Sequence, residues 1–335
     1  MDKMRKLIED FSKQLREAVQ LGQKAEIRPA SREIRQVVIA GMGGSGIGGN
    51  LVAMLVQDEI KVPVLVVKNY QLPHFISEHT LFIASSFSGN TEETITCLEQ
   101  ALAAGAQCVA ISSGGTIAKM AEQHQLDLAR IPGDSKSPRA SLGYSLLQML
   151  FVLHYKGLIG NAFIEETERI AQLLDQEEES LCIRGEKLAN SMKGYLPCLY
   201  ADSRLRPVAL RIQQQLNENG KHLCHINELP EMNHNELVGW EHPEQVMSDS
   251  KVYFILTDYD HPRVRERVRI SREMLQGKAA NVSDIIAKGD SLLGQCLYLI
   301  HLTDWVSYFL ALANLTDPFP IDATEHLKAE LAKLK

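Results

Sequence analysis

The sequence predicts an α/β protein of two doubly wound lobes, each a parallel sheet with helices on both faces. Three observations predict it. Short, nearly continuous apolar runs alternate with helical patterns between residues 36 and 131, and a second series of the same kind spans residues 196 to 286. Two turns rich in glycine or hydroxyl residues stand where a strand passes into a helix. Strands that are apolar along their length, rather than alternating, are those covered on both faces, which is the condition of a parallel sheet.

In chain order, Leu7, Phe11, Leu15 and Val19 recur at helical spacing and predict one amphipathic helix over residues 3–24 that packs through this face. Strands of the first lobe are expected at 36–40, 62–67, 81–84, 108–111 and 128–131. A long helical stretch follows over 141–188, broken near 157–161. Strands of the second lobe are expected at 196–201, 222–226, 252–256 and 282–286. Residues 292–312 are densely apolar yet include His301, Asp304 and Trp305, which reads as a buried helix at a lobe or subunit interface. A final helix carries Lys328. The expected division is an N-terminal helix (1–27), a first phosphate-binding domain (28–155), connecting helices (156–190) and a second domain with C-terminal helices (191–335).

With 335 residues, of which 45% are hydrophobic, the chain can bury a full core. Its formal net charge of −7 argues against nucleic acid as a partner, because general nucleic-acid binders carry a basic face. No run of 18 apolar residues occurs, and the N-terminal stretch leads into an amphipathic pattern rather than a signal core, so a cytoplasmic protein without a membrane partner is expected. Cys97, Cys108, Cys182, Cys198, Cys224 and Cys296 are scattered with no CxxC pair and read as small buried hydrophobes without disulfides.

The first turn, Gly41 to Gly49, reads Gly-Met-Gly-Gly-Ser-Gly-Ile-Gly-Gly between a strand and a helix. Such a turn lets backbone N–H groups approach an anion at a helix start. It also fits G-x-G-x-x-G at Gly41, Gly43 and Gly46. A dinucleotide site, however, needs an acidic residue at the end of the second strand, and there the sequence runs Val67-Lys68-Asn69-Tyr70. A purely structural tight turn is the third reading. The second turn, Ser85-Ser-Phe-Ser-Gly-Asn-Thr91, again joins a strand to a helix, so Ser86, Ser88 and Thr91 are placed to surround a phosphate. Its bland alternative is N-capping by Ser88 or Thr91, and Glu92 and Glu93 must project sideways if a phosphate is to bind. Two anion-friendly turns at the carboxyl ends of parallel strands share the sheet edge where such folds bind ligands.

In the second half, Glu218 stands in Asn217-Glu-Asn-Gly220 at an expected helix end, either as a presented base or as part of a helix stop. His234 lies between Asn233 and Asn235, which are expected to fix its orientation. His222, His225, His234 and His242 suggest no shared metal site, because the first two are expected on opposite faces of one strand. Arg139 opens the long helix, where the dipole disfavours a cation that has no anionic partner.

These segments together resemble the bacterial and archaeal bifunctional phosphoglucose/phosphomannose isomerases, within the sugar isomerase (SIS) domain superfamily. The Ser-x-Ser-Gly-Asn-Thr turn alone marks only a sugar-phosphate domain; its combination with the Pro-Arg, Asn-Glu-Asn and Asn-His-Asn-Glu segments is far more specific. The resemblance implies that Gly43, Gly44 and Ser45 lie beside the sugar phosphate and that Ser86, Ser88 and Thr91 bind it. It implies Glu218 as the proton-transfer base and Arg139 as stabiliser of the enediolate. His234, supplied by the neighbouring subunit of a homodimer with a shared active site, would act with Lys328 in ring opening. Neither a cofactor nor a metal is implied. At the position where the family's hydroxyl residue is associated with acceptance of the mannose epimer, the resemblance offers either Ile321 or, as a shifted substitute three residues on, Thr324. A non-catalytic sugar-phosphate sensor is the alternative from another class.

Overall fold

The structure is a computed structural model that describes residues 3–135 and 137–334, so the outermost residues of the expected domain ranges lie outside the described residues. In chain order its elements are α1 (Lys3–Glu9), α2 (Phe11–Gln23), β1 (Gln36–Ala40), α3 (Gly43–Leu55), β2 (Val64–Val67), β3 (Thr80–Ser85), α4 (Glu92–Ala103), β4 (Gln107–Ser112), α5 (Gly115–Gln123), β5 (Asp127–Arg130), α6 (Leu142–Tyr155) and α7 (Ala162–Met192). There follow β6 (Leu196–Asp202), α8 (Arg206–Glu218), β7 (His225–Leu229), α9 (Glu236–Gly239), α10 (Glu244–Ser248), β8 (Ser250–Leu256), α11 (Pro262–Leu275), β9 (Asn281–Ile286), α12 (Leu292–Ala313) and α13 (Asp322–Leu331). The chain forms two compact units: Glu9–Gln176 with Lys288–Tyr298, and Glu177–Ala287 with residues 3–8 and 299–334.

In the unit containing β1, five parallel strands run in the order β2-β1-β3-β4-β5. Alternate residues feed opposite faces. Val38, Ala40, Phe82, Ala84 and Ala110 pack with Cys97, Leu98 and Ala101 of α4 and with Ile117 and Ala121 of α5. On the other face a Cβ at Gly49 of α3 would stand 3.0 Å from Ile39 Cγ2, so that glycine lets the helix close onto the sheet. Both faces being covered, the apolar runs are continuous, as the sequence suggested.

The second unit holds four parallel strands in the order β7-β6-β8-β9. Tyr200, Val252 and Phe254 pack with Val264, Val268 and Leu275 of α11, and on the reverse face the hydroxyls of Tyr253 and Ser191 of α7 meet at 2.8 Å.

Two expectations need correction. The N-terminal stretch is two helices, α1 ending at Glu9 and α2 beginning at Phe11; its buried stripe is Met4, Ile8, Phe11, Leu15 and Ala18, while Leu7 and Val19 are only half-buried. The seventh strand is Leu229-terminated, not 222–226. His222 precedes it and is held outside the ladder, its Nε2 pairing with the Tyr195 carbonyl at 2.7 Å and its Nδ1 with Asn314 at 3.2 Å. Because β7 is an edge strand, its middle carries Asn227 and Glu228, so an apolar run is a poor guide to its position.

By length and composition α12 is apolar enough to cross a membrane, but 83% of its most apolar window is buried inside the protein. None of the six cysteines is in a disulfide and five of them are buried; burial pushes the Cys97 thiol up to about 11 and those of Cys108 and Cys198 up to about 12.

Candidate active site

In the first unit, β1 delivers the chain into α3 through the glycine turn. Gly43 has φ +49, and at Gly46 a Cβ would stand 2.4 Å from the Gly41 carbonyl oxygen, so no side chain fits there. A Cβ on Gly44 would lie 2.8 Å from the Pro138 carbonyl and 3.6 Å from Arg139 Cα, which places the 3-10 turn Pro138–Ala140 directly against the glycine turn. Gln14 of α2 clamps this segment: its Nε2 donates to the Ala140 carbonyl and its Oε1 accepts from Gly143 N, both at 2.8 Å. Arg139, 4% exposed, thus stands on the turn before α6 rather than on the helix itself.

The hydroxyl turn after β3 is braced from β4. Ser86 N donates to the Ile111 carbonyl at 3.0 Å, and Ser113 N donates to the Phe87 carbonyl at 3.1 Å. Gly89 has φ +71, and a Cβ there would collide with the Gly114 carbonyl at 1.8 Å. Thr91 is the N-cap residue of α4, but its side chain makes no capping bond; its Oγ1 lies 2.9 Å from Ser86 Oγ, which also accepts from Gly89 N at 3.1 Å. Capping therefore does not account for Thr91. Ser88 Oγ accepts from Asn90 N at 3.2 Å and Ser45 Oγ accepts from Phe87 N at 3.2 Å. A hydroxyl that accepts from the backbone keeps its own proton to donate. Within this unit the structure thus brings together Gly43, Gly44, Ser45, Ser86, Ser88, Thr91 and Arg139.

The second unit carries the other predicted residues on three separate elements. Glu218, half-buried, ends α8. Asn219 behind it is fully buried and donates to Ser307 Oγ of α12 at 3.0 Å, while Gln215 donates to Asp304 Oδ1 at 2.6 Å. The stop is not a left-handed glycine: Lys221 has the positive φ, +50, and its Nζ donates to the Glu218 carbonyl at 2.7 Å. Lys328 is exposed on α13, whose residues are all unburied, with Ile321 at its N-cap and Thr324 exposed in its first turn. His234 is exposed at the end of the 3-10 turn Glu231–His234. Its flanking asparagines do not orient it, contrary to expectation. Asn233 Nδ2 donates to Ser271 Oγ of α11 at 2.8 Å, and Asn235 Nδ2 donates to Glu231 at 2.7 Å, so the first ties the loop to α11 and the second braces it internally. Among the described residues neither His234 nor Lys328 is hydrogen-bonded to Glu218.

The sequence reading missed Glu236. Its carboxylate accepts from Tyr200 Oη, Asn227 Nδ2 and His225 Nε2, the last at 2.9 Å, and Trp240 Nε1 donates to Tyr200 Oη at 3.1 Å. Burial alone would raise its pKa, but the hydrogen bonds from His225, Tyr200 and Asn227 prevail and hold it at about 2. No cluster of three His, Cys, Asp or Glu residues suited to a metal ion occurs among the described residues.

With this geometry in place, similarity to known proteins becomes informative. Residues 32–153 match the SIS domain model, and residues 183–331 match the model for the bacterial phospho-glucose isomerase C-terminal SIS domain. The chain is 36% identical to the bifunctional phosphoglucose/phosphomannose isomerase of Caldicellulosiruptor bescii, over 97% of this chain and 98% of the relative. The chain belongs to the bifunctional phosphoglucose/phosphomannose isomerase family. A second member of that family, from Aquifex aeolicus, is also 36% identical, over 89% of this chain and 90% of its own. The fold is shared with the C-terminal domain of glucosamine-fructose-6-phosphate aminotransferase from Francisella tularensis, at a TM-score of 0.72 and 13% identity, covering 94% of this chain and 97% of that one. The isomerase family is thus represented along nearly the whole chain, both lobes included.

Proposed function

We propose that this protein interconverts glucose 6-phosphate and fructose 6-phosphate, and mannose 6-phosphate and fructose 6-phosphate, through a cis-enediol. The observation that supports this best is full-length kinship with the bifunctional isomerases in a chain whose hydroxyl turn, glycine turn and Arg139 are tied into one cradle. Ser86, Ser88, Thr91 and the amides of the glycine turn hold the phosphate. His234 and Lys328 open the sugar ring, moving a proton off the anomeric hydroxyl and onto the ring oxygen. Glu218 then takes the C2 proton and returns it to C1, while the proton on O2 or O1 moves in compensation, so the molecule is rearranged without a net change of oxidation state. Arg139 stabilises the charge that develops on the enediolate oxygen.

The working unit is a homodimer in the cytoplasm, with His234 reaching the site of the neighbouring subunit. Exposure of His234 on a loop tied to α11 through Asn233 supports that reading. A coupled assay with the purified protein, run on glucose 6-phosphate and mannose 6-phosphate side by side, tests the activity. Turnover of at least the glucose epimer is expected; binding without turnover of either would instead identify a sugar-phosphate sensor.

A further inference from the structure

Lys68 is a charge that nothing in the fold explains. It follows β2 directly, and β1 lies between β2 and β3, so Lys68, Gly41 and Ser85 occupy successive register positions at the carboxyl edge of the sheet. Its Cε lies 3.1 Å from where a Cβ on Gly46 would stand, so its stem crosses the first turn of α3. The segment after it is fastened to the helix that carries the hydroxyl turn. Cys97 Sγ of α4 donates to the Asn69 carbonyl at 3.2 Å, and Gln100 bonds both the Tyr70 carbonyl, at 2.7 Å, and Leu72 N, at 3.0 Å. Lys68 is thereby fixed at the carboxyl edge of the sheet against the glycine turn, which lies between it and the hydroxyl turn.

Lys68 is half-buried, and a lysine even partly withdrawn from water usually has a carboxylate partner. Among the described residues Lys68 has no ion pair and no hydrogen bond, and desolvation by its surroundings lowers its pKa. The site has a matching electrostatic deficit. A phosphate dianion held by hydroxyls and amides beside Glu92 and Glu93, in the first turn of α4, sits in a field of its own sign. Those carboxylates act on this side of the helix, since after desolvation Glu93 and Glu92 help to push up the Tyr70 phenol two residues beyond Lys68. Arg139 lies on the other side of the glycine turn, against Gly44.

We propose that Lys68 is the phosphate-binding cation of this site, its ammonium meeting the sugar phosphate over the glycine turn and offsetting Glu92 and Glu93. This rests on the isomerase reading above. The role is in binding and not in proton transfer, so it shows in affinity rather than in turnover.

The test compares wild type, Lys68→Met and Lys68→Arg for kcat and KM on glucose 6-phosphate and for inhibition by inorganic phosphate across pH. Losing a charged hydrogen bond predicts that Lys68→Met raises KM and the phosphate inhibition constant together by about tenfold or more, leaving kcat within about threefold. Lys68→Arg restores most of the loss. In wild type, phosphate inhibition weakens at alkaline pH as Lys68 loses its proton, a limb that Lys68→Met lacks; this measurement stands even if the methionine variant folds poorly. Unchanged KM and inhibition constant in Lys68→Met, or a wild-type inhibition constant with no alkaline limb, overturns the proposal and leaves the isomerase reading intact. Wild-type protein that neither binds phosphate nor turns over either sugar phosphate overturns both.

Discussion

The Ser45 hydroxyl accepts the Phe87 amide hydrogen at 3.2 Å, fastening the glycine turn after β1 to the hydroxyl turn after β3. This hydrogen bond thus ties together two turns whose bonded residues lie 42 positions apart in sequence, the pair proposed to hold the phosphate. Ser45→Ala removes the acceptor and leaves the buried Phe87 N–H unpaired, at a cost of about 1–3 kcal/mol. The expected outcome is a lower melting temperature together with a raised KM for sugar phosphate. A variant as stable as wild type with unchanged KM would show that the two turns hold their spacing without it.

Glu218→Gln keeps the shape of the side chain and removes the proposed base. Asn219 and Gln215, anchored to Ser307 and Asp304, keep the end of α8 in place. The variant is expected to lose kcat by about 10²–10⁴-fold, the usual contribution of general acid–base catalysis, with substrate affinity nearly unchanged. Titration calorimetry with fructose 6-phosphate separates the two quantities, and retained turnover would sink the assignment.

The Glu236 network predicts an acid limit to stability. Its folded pKa is depressed to about 2 from an ordinary 4.5, so the carboxylate contributes stability that is present above pH 4.5 and is lost as pH falls toward 2. Its side chain is 21% exposed, and with solvent screening the contribution is on the order of 2 kcal/mol. Denaturant midpoints measured between pH 6 and 3 are expected to fall more steeply for wild type than for Glu236→Gln. Parallel curves would refute a stabilising role for the ionised carboxylate.

The contrast between Glu236 and the two turns shows what the sequence made legible. Central strands such as β3 and β4 are buried on both faces, so their apolar runs announce both position and parallel pairing. The turns are local: strand, glycine or hydroxyl cluster and helix lie within a dozen residues. Glu236 acts through Tyr200, His225 and Asn227, which only the pairing of β6 with β7 brings to one place. Edge strand β7 lacked the continuous apolar signature, so that arrangement was invisible. The asparagines beside His234 misled because other partners take them: Ser271 on α11, which only tertiary folding brings to Asn233, and Glu231, four residues before Asn235 in the same turn. Lys68 was read only for the acid it is not.

The shared-site reading makes a prediction that no single variant can. His234 is exposed on its loop, and Glu218 ends α8, with no hydrogen bond between them. If each site takes Glu218 from one subunit and His234 from the other, Glu218→Gln and His234→Ala homodimers are both impaired. A mixed dimer then has one site carrying both lesions and one carrying neither. Random exchange of equal amounts makes half the dimers mixed, each with one intact site of two, so mixing is expected to restore about a quarter of wild-type activity. Were Glu218 and His234 to serve one site from the same chain, every site in a mixed dimer would keep a lesion, and the mixture would stay at the mean of the two impaired enzymes.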